Sequence, residues 1–530
     1  MRKVFDSVLL LASILSLSQL SLAQTQQGKN KKGEIVYHVC QRSFYDSNGD
    51  SNGDLNGLRQ KLPYLQELGV SSILLFPLYE ADCYHNYFAN DFEKIDPEFG
   101  TMEEYIELVK EVHKRGMKIY LDMETQYVSS EHLWWKDAVG NLDSKYSDYI
   151  LFDDAAHQVP ATMVFDLRIL NGYDGKVITA TTVNLKSKKV LDYNIALFSY
   201  FMDPNKDSAF DDGVDGFRLD HAMDHLDGKP TLTNLFEEFW KPLISALKAK
   251  NPALQIVAEQ ANWADYGFEY FEKATVDRMF GFGLQQAILS FDKQQIINNA
   301  EIILNQTPEG KAQIIFIENH DIDRFASLET NLQRQKLAAA LMLLIGGVPS
   351  IYYGQELGMQ GKVYSFGNTD GNDIGRREAF EWYQTGQGEG MSYWYKNSGP
   401  WWTNANSKPN DGISLEEQRL DPNSLFNWYK AMISLKQSNA ALAIGSYENV
   451  PNENQNVFSF YRIQGRKKVL VVVNLSADNQ QVLFKQEVKK ADDLLDKQLP
   501  FEKQMNLLPY EVMVWEVKKP RASLGFMNPF

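Results

Sequence analysis

An α/β barrel of eight parallel strands, with a small domain inserted after the third strand and an antiparallel β-sandwich at the C-terminal end, is the architecture this 530-residue sequence predicts. Three observations carry it. Short apolar runs alternate with amphipathic helical stretches from Glu34 onward. The runs are apolar throughout, as strands covered on both faces are. Eight of them, the number that closes a (β/α)8 TIM barrel, precede a change of pattern past Lys436 to closely spaced short strands.

The elements follow in order. Ile35–Phe44 reads as the first strand. Leu55, Leu58, Leu62, Leu65 and Leu68 recur at steps of three and four on one helix face, and Gly69 stops that helix. Val70–Pro77 is the second strand; Thr101 and Glu104 form a capping box that opens a helix ending near Gly116. Met117–Asp122 is the third strand. Residues 127–186 are too long for an ordinary loop and read as the inserted domain. Strands resume at Val214–Asp220, Leu254–Glu259, Arg278–Gly281, Ala312–Glu318 and Pro349–Tyr353, and a helix covers Ser424–Lys436. Val457–Ile463, Lys468–Asn474, Gln481–Phe484 and Glu511–Val517 are strands of the last domain. The expected domains are therefore a barrel over 30–126 and 187–436, the insertion at 127–186, a β domain at 437–518 and a tail at 519–530.

Residues 1–23 read as a secretory leader: Arg2 and Lys3, an apolar run from Val8 to Leu20, then Ser21-Leu22-Ala23 as a cleavage site. The run is too short and interrupted to span a bilayer. A secreted or periplasmic protein with no membrane span after leader removal is expected. Formal net charge is −16, and about −17 once Arg2, Lys3 and Asp6 leave with the leader. That charge excludes nucleic acid and anionic membrane as main partners and suits a neutral ligand. Cys40 and Cys83 are the only cysteines; they can pair in an oxidising compartment or stay as buried thiols.

Several strands end in an acid. A buried strand in a parallel barrel delivers its last residue to the open mouth, where ligands bind. Asp220 ends the fourth strand, Glu259 the fifth and Asp321 follows the seventh. Arg218 precedes Asp220 by two, hence on the same face, where it can hold the carboxylate ionised. Glu259, beside an apolar run, can be kept protonated by desolvation. One carboxylate and one carboxylic acid about 5–5.5 Å apart are what cleavage of a glycosidic bond with retention requires. Asp220 is then the nucleophile and Glu259 the general acid, then base. Asp321 and His320 grip sugar hydroxyls as the ring distorts. Trp382, Tyr383, Tyr393, Trp394, Tyr395, Trp401 and Trp402, in the irregular stretch after the eighth strand, can stack on sugar faces or pack that stretch down.

Gly216–Asp220, Glu259 and Phe316–Asp321 resemble the second, third and fourth conserved regions of the α-amylase family, glycoside hydrolase family 13. Tyr84-His85-Asn86-Tyr87, the stretch Ile95–Thr101 and Tyr352–Gly358 resemble further family segments, and the likeness covers roughly residues 34–518. The resemblance implies a retaining mechanism, oligo- or polysaccharide α-glucans as substrate, an inserted domain B and a β-sandwich domain C. It implies that Tyr87 stacks on the sugar in subsite −1 and His85 binds its hydroxyl. The first region departs: where the family usually has Asp-x-x-x-Asn-His, this chain has Asp122-Met123-Glu124-Thr125-Gln126-Tyr127. The family's calcium between barrel and insertion is therefore not expected. Met223 and Asp224 replace the Lys-His of many α-amylases, which alters the acceptor side.

A separate metal site is expected at Asp46–Asp54, where oxygen ligands fall on every second residue. Asp46, Asn48, Asp50 and Asp54 would hold a structural Ca2+ by side chain and Asn52 by its carbonyl; similar loops occur in the family's oligo-1,6-glucosidase branch. Hydrolysis of starch, maltooligosaccharides, cyclodextrin or pullulan is the leading reading. Transglycosylation or disaccharide isomerisation shares the chemistry up to the covalent intermediate. A non-catalytic sugar-binding or partner subunit is the third reading, and the retained acids weigh against it.

Overall fold

The computed structural model describes residues 33–484, 491–495 and 502–518. The leader at 1–23 and the tail at 519–530 lie outside them. Eight parallel strands close a barrel: Val36–Val39, Ser72–Leu75, Lys118–Met123, Gly216–Leu219, Gln255–Ala258, Arg278–Phe280, Ala312–Ile315 and Val348–Tyr352. They stand around the barrel in chain order, and Val36 pairs with Ser350 to close it. Each lies within its expected run or departs from it by one residue at one end. The first is shorter than expected, because a 3-10 turn at Gln41–Ser43 ends it.

The covering helices obey their signals. Leu55–Leu68 is capped by Asp54, whose side chain accepts from Gly57 N–H, and ends at Gly69 with φ 97°. Thr101 and Glu104 form the capping box of Met102–Lys114. An ion pair fills the bottom of the barrel: Arg278 Nη2 lies 2.7 Å from Glu34 Oε2, and Tyr120 donates to the same carboxylate. Burial opposes ionisation of Glu34, but Arg278 holds it down at about 2.

The insertion is built from more chain than 127–186. Its five-stranded sheet runs Tyr79–Ala81, Ala89–Ile95, Tyr127–Ser129, Val177–Thr182, Ile169–Asn171. Its first two strands come from the loop after the second barrel strand. That loop also carries His85 and Tyr87, so the insertion braces it over the barrel mouth.

The C-terminal part holds an antiparallel five-stranded sheet, Ser446–Asn449, Val457–Gln464, Lys467–Asn474, Val512–Val517 and Ala491–Asp493, and a two-stranded sheet, Gln480–Leu483 with Gln504–Leu507. Tyr461, Leu470 and Trp515 of the larger sheet share one core with Val482, Met505 and Leu507 of the smaller. The two sheets therefore pack face to face. Among the described residues no helix is long and apolar enough to cross a membrane.

Candidate active site

Register places the site. Arg218 stands level with Asp122 on the third strand and with Val257 on the fifth. Asp220 lies two residues beyond Arg218 and Glu259 two beyond Val257, so the two acids leave neighbouring strands side by side. Neighbouring strands are about 4.8 Å apart, which suits the carboxyl separation of a retaining pair.

Arg218 does more than hold Asp220. Its buried guanidinium pairs with Asp122 Oδ2 at 2.7 Å, with Asp220 Oδ1 and, through its other terminal nitrogen, with Glu259 Oε2. One planar fork thus joins three carboxyl groups. Burial alone would raise Asp220; Arg218 and then His221 hold it well below the usual carboxylate range. Burial pushes Glu259 up to about 8 against the pull of Arg218, with Asp220 and Asp321 adding to the rise. Asp122 rises to about 7 because burial outweighs Arg218. Two level carboxyls pushed apart in this way are a base and an acid.

Asp321 stands on the opposite wall. Asn319 Oδ1 accepts from Asp321 N–H at 2.9 Å and Ile322 N–H at 3.2 Å, which fixes the turn that aims the acid. Its carboxyl is 3.1 Å from His320 Nε2 and 3.4 Å from Arg377 Nη2. Burial raises it despite Arg377 and Arg218. Burial keeps His320 neutral, well below its ordinary value. Tyr87 Oη is 3.1 Å from His320 Nε2 and donates to Asp122 Oδ2 at 2.9 Å, and its ring lies nearly parallel to that of His320. His85 packs edge-on to Tyr84 and accepts Tyr87 N–H at 3.2 Å; burial holds it down at about 3, so it is neutral. The structure brings Asp220, Glu259, Asp321, Arg218, His320 and Tyr87 into one connected cluster.

Four groups of this cluster were absent from the expected site. Asp122 sits opposite Arg218, a match only strand register could disclose. Glu124, one residue past the end of the third strand, is buried beside Asp220. His221 Nδ1 is 2.6 Å from Asp220 Oδ2. Arg377 comes from the loop after the eighth strand and also donates to Tyr84 Oη at 3.0 Å.

The departures in the first region have partners here. Gln126 donates its amide to Glu124 Oε2 at 2.9 Å and to the Asp220 carbonyl at 3.1 Å. Tyr127 bonds to Asp227 and lies 3.3 Å from His221 Nε2. On the altered acceptor side, Asp224 caps Phe236 N–H at 2.8 Å and the Met223 carbonyl accepts from Trp240 Nε1 at 3.1 Å.

Most aromatics of the stretch after the eighth strand pack rather than face ligand. Trp382, Trp394, Tyr395 and Trp401 are buried. Trp382 Nε1 donates to the Phe44 carbonyl and Trp394 Nε1 to Ser43 Oγ, at 2.6 and 2.9 Å. These two rings clamp the stretch onto the 3-10 turn that follows the first strand. Cys40 and Cys83 are both free and buried.

In the Asp46–Asp54 loop, Asp46 accepts Gly49 and Ser51 N–H at 2.7 and 2.8 Å, Asn48 accepts Asp50 N–H at 2.9 Å and Asp50 accepts Asn52 N–H at 2.7 Å. Asp54 caps the helix behind it. The all-oxygen donor set fits a hard cation, and the same oxygens here hold the loop's own N–H groups. Asn52 turns its side chain to Arg42 at 2.8 Å, which leaves its carbonyl as the donor of that residue. A second loop, Asp203–Asp211, has the same spacing and the same ladder: Asp203 accepts Ser208 N–H, Asn205 accepts Asp207 N–H, and Asp207 accepts Ala209 N–H.

The catalytic-domain profile of the α-amylases matches residues 38–445. A curated relative, Alpha-amylase 3 of Dictyoglomus thermophilum, is 28% identical over 92% of this chain and 93% of its own length. The 4-alpha-glucanotransferase of Thermotoga maritima is also 28% identical, over 84% and 96%. Among solved structures, Eubacterium rectale Amy13B superposes with a TM-score of 0.76 at 25% identity, covering 93% of this chain and 96% of that one. With its closed barrel, its terminal antiparallel sheets and this match over more than half its length, the chain belongs to the α-amylase family, glycoside hydrolase family 13, and is an enzyme of that family.

Proposed function

We propose that this enzyme is a secreted or periplasmic retaining hydrolase of α-linked glucans, acting by double displacement through a glycosyl–Asp220 intermediate. The observation that carries this is the level pair Asp220 and Glu259, joined by Arg218 and faced by Asp321. Asp220, held ionised, attacks the anomeric carbon. Glu259, held protonated, gives its proton to the departing oxygen, then takes one from water. Asp321, His320 and Tyr87 hold the sugar. The leader sequence is the support for export.

Transfer to a sugar acceptor is the second reading. Relatives named for hydrolysis and for glucanotransfer stand at equal identity, and the acceptor side has lost the Lys-His pair at Met223 and Asp224. Incubation with starch, pullulan, a cyclodextrin, maltotriose, isomaltose and trehalose, with products resolved over time, separates the readings. A hydrolase accumulates reducing ends. Rearranged oligosaccharides without new reducing ends would replace hydrolysis by transfer.

The pH profile follows from Glu259. It must be protonated in the first step, so activity is lost as pH rises through its pKa. An alkaline limb with an apparent pKa near 8 is expected in kcat/KM on an aryl α-glucoside. Constant kcat/KM to pH 10 would remove Glu259 as the acid.

We further propose that Asp46, Asn48, Asp50, Asp54 and the Asn52 carbonyl hold Ca2+, which would tie the first strand to its helix. A ligand bound only by the folded state raises stability. Chelation is expected to lower Tm by several degrees, about 1–3 kcal/mol, with recovery on adding Ca2+. Superimposable melting curves would count against the site.

A further inference from the structure

His221 follows Asp220 directly, and the two groups meet. Its Nδ1 lies 2.6 Å from Asp220 Oδ2, while the other oxygen, Oδ1, is held by Arg218. Each oxygen of the proposed nucleophile therefore faces a cationic group. A carboxylate has about four lone-pair sites; Arg218, His221 and Glu124 engage three of them, so one remains for attack.

The far side of the ring is also engaged. His221 Nε2 lies 3.3 Å from Tyr127 Oη, and that hydroxyl bonds to the Asp227 carboxylate. A phenol placed between a carboxylate and a ring nitrogen donates to the first and accepts from the second. His221 thus donates from both nitrogens, which is the imidazolium form. Glu124 adds a further carboxyl: one of its oxygens, one oxygen of Asp220 and one ring nitrogen of His221 all lie within 4.8 Å of one another. Burial would discharge the ring, but Asp220 and then Glu124 push it up to about 10. The chain Asp227–Tyr127–His221–Asp220 joins the residues after the fourth strand to Tyr127, about 100 positions earlier. Tyr127 ends the stretch that stands for the first conserved region, and His221 directly follows the acid of the second.

Resting on the reading of Asp220 as nucleophile, we propose that His221 is a positioning residue for the second half of the reaction: an imidazolium clamped by Tyr127 and Asp227 that stabilises the Asp220 carboxylate as it leaves the sugar. In the first half, an Asp220 oxygen bonds to the anomeric carbon and the carboxylate loses its charge beside a fixed cation, which is unfavourable. In the second half, water attacks the anomeric carbon and its proton passes to Glu259. The carbon–oxygen bond to Asp220 breaks, and its electron pair restores the carboxylate between His221 and Arg218. His221 therefore holds back the first step and speeds the second, and the glycosyl-enzyme is kept short-lived.

The test uses α-D-glucosyl fluoride, whose leaving group needs little protonation, with the wild-type enzyme, His221→Asn and Tyr127→Phe. His221→Asn is expected to lower kcat about 10- to 100-fold, the worth of a lost charge-assisted hydrogen bond, with kcat/KM held or raised because the restraint on the first step is gone. KM then falls at least as far as kcat, and enzyme quenched during turnover carries one glucosyl unit by intact mass. Tyr127→Phe is expected to move the same quantities in the same direction by less, and it serves if His221→Asn does not fold. A parallel fall of kcat and kcat/KM with no sugar on the quenched enzyme would overturn the proposal, as would an unchanged kcat in His221→Asn. A glucosyl fluoride turned over by wild type but trapped, with a fluorinated glucosyl donor, on a residue other than Asp220 would instead overturn the nucleophile assignment beneath it.

Discussion

Asp220→Asn is expected to cut turnover of every α-glucan the wild type cleaves by at least about 10^4-fold, as loss of a covalent nucleophile does. The amide is nearly isosteric but cannot form the glycosyl ester. The protein should still fold. Arg218 keeps Asp122 and Glu259 as partners, and His221 keeps Tyr127. Circular dichroism should match the wild type, with Tm moved by a few degrees at most. No glycosyl-enzyme should form from an activated α-glucosyl donor. Turnover within tenfold of wild type would take Asp220 out of the mechanism and leave the level pair without a role.

The parts of this site that a sequence discloses are those carried by strand ends and by short spacings. Asp220 and Glu259 close apolar runs, and Arg218 lies two residues before Asp220 on the same face, so their arrangement follows from local geometry. Asp122 lies on the third strand and Glu124 just past its end, but what they meet depends on the register of the third strand against the fourth, which nothing in either run encodes. Tyr127 and Asp227 meet across 100 positions of chain, and Arg377 reaches back 57 positions to the His320 carbonyl. Loop folding decides such contacts. The insertion shows the same limit from the other side. The stretch at 127–186 stands out because regular alternation stops there, whereas Tyr79–Ala81 and Ala89–Ile95 follow a barrel strand so closely that they read as part of its loop. The aromatic residues past the eighth strand give a third case. Trp and Tyr serve both stacking and packing, and only burial separates the two; Trp394 and Trp401 pack.

Arg218→Leu is expected to destabilise the protein more than any other single change at the site, and to cost most of its activity as well. The guanidinium is buried, and so are the three carboxyl groups it joins. Leucine supplies volume but no charge and no donor, so Asp122, Asp220 and Glu259 crowd together without a counter-charge. Removing one partner from a buried ion pair costs about 3–5 kcal/mol. The stranded acids respond by taking up protons, which raises their pKa values in the folded state above those of the unfolded chain. A group whose folded pKa is raised contributes stability that is present at low pH and lost as pH rises through that pKa. The deficit in Tm relative to wild type should therefore be smaller at pH 5 than at pH 8, and refolding should be easier in acid. Activity at pH 7 should fall by at least about 10^3-fold, because Asp220 spends its time protonated and loses its aim. Arg218→Lys should recover only part of either loss, since a single ammonium cannot span three carboxyl groups as a planar fork does. Thermal melts of both variants across pH 5 to 8, beside rates on one α-glucan, test this together. A Tm deficit in Arg218→Leu that does not grow toward pH 8 would mean that Asp220 does not depend on Arg218 for its charge, and the electrostatic basis for Asp220 as an ionised nucleophile beside a protonated Glu259 would fail with it.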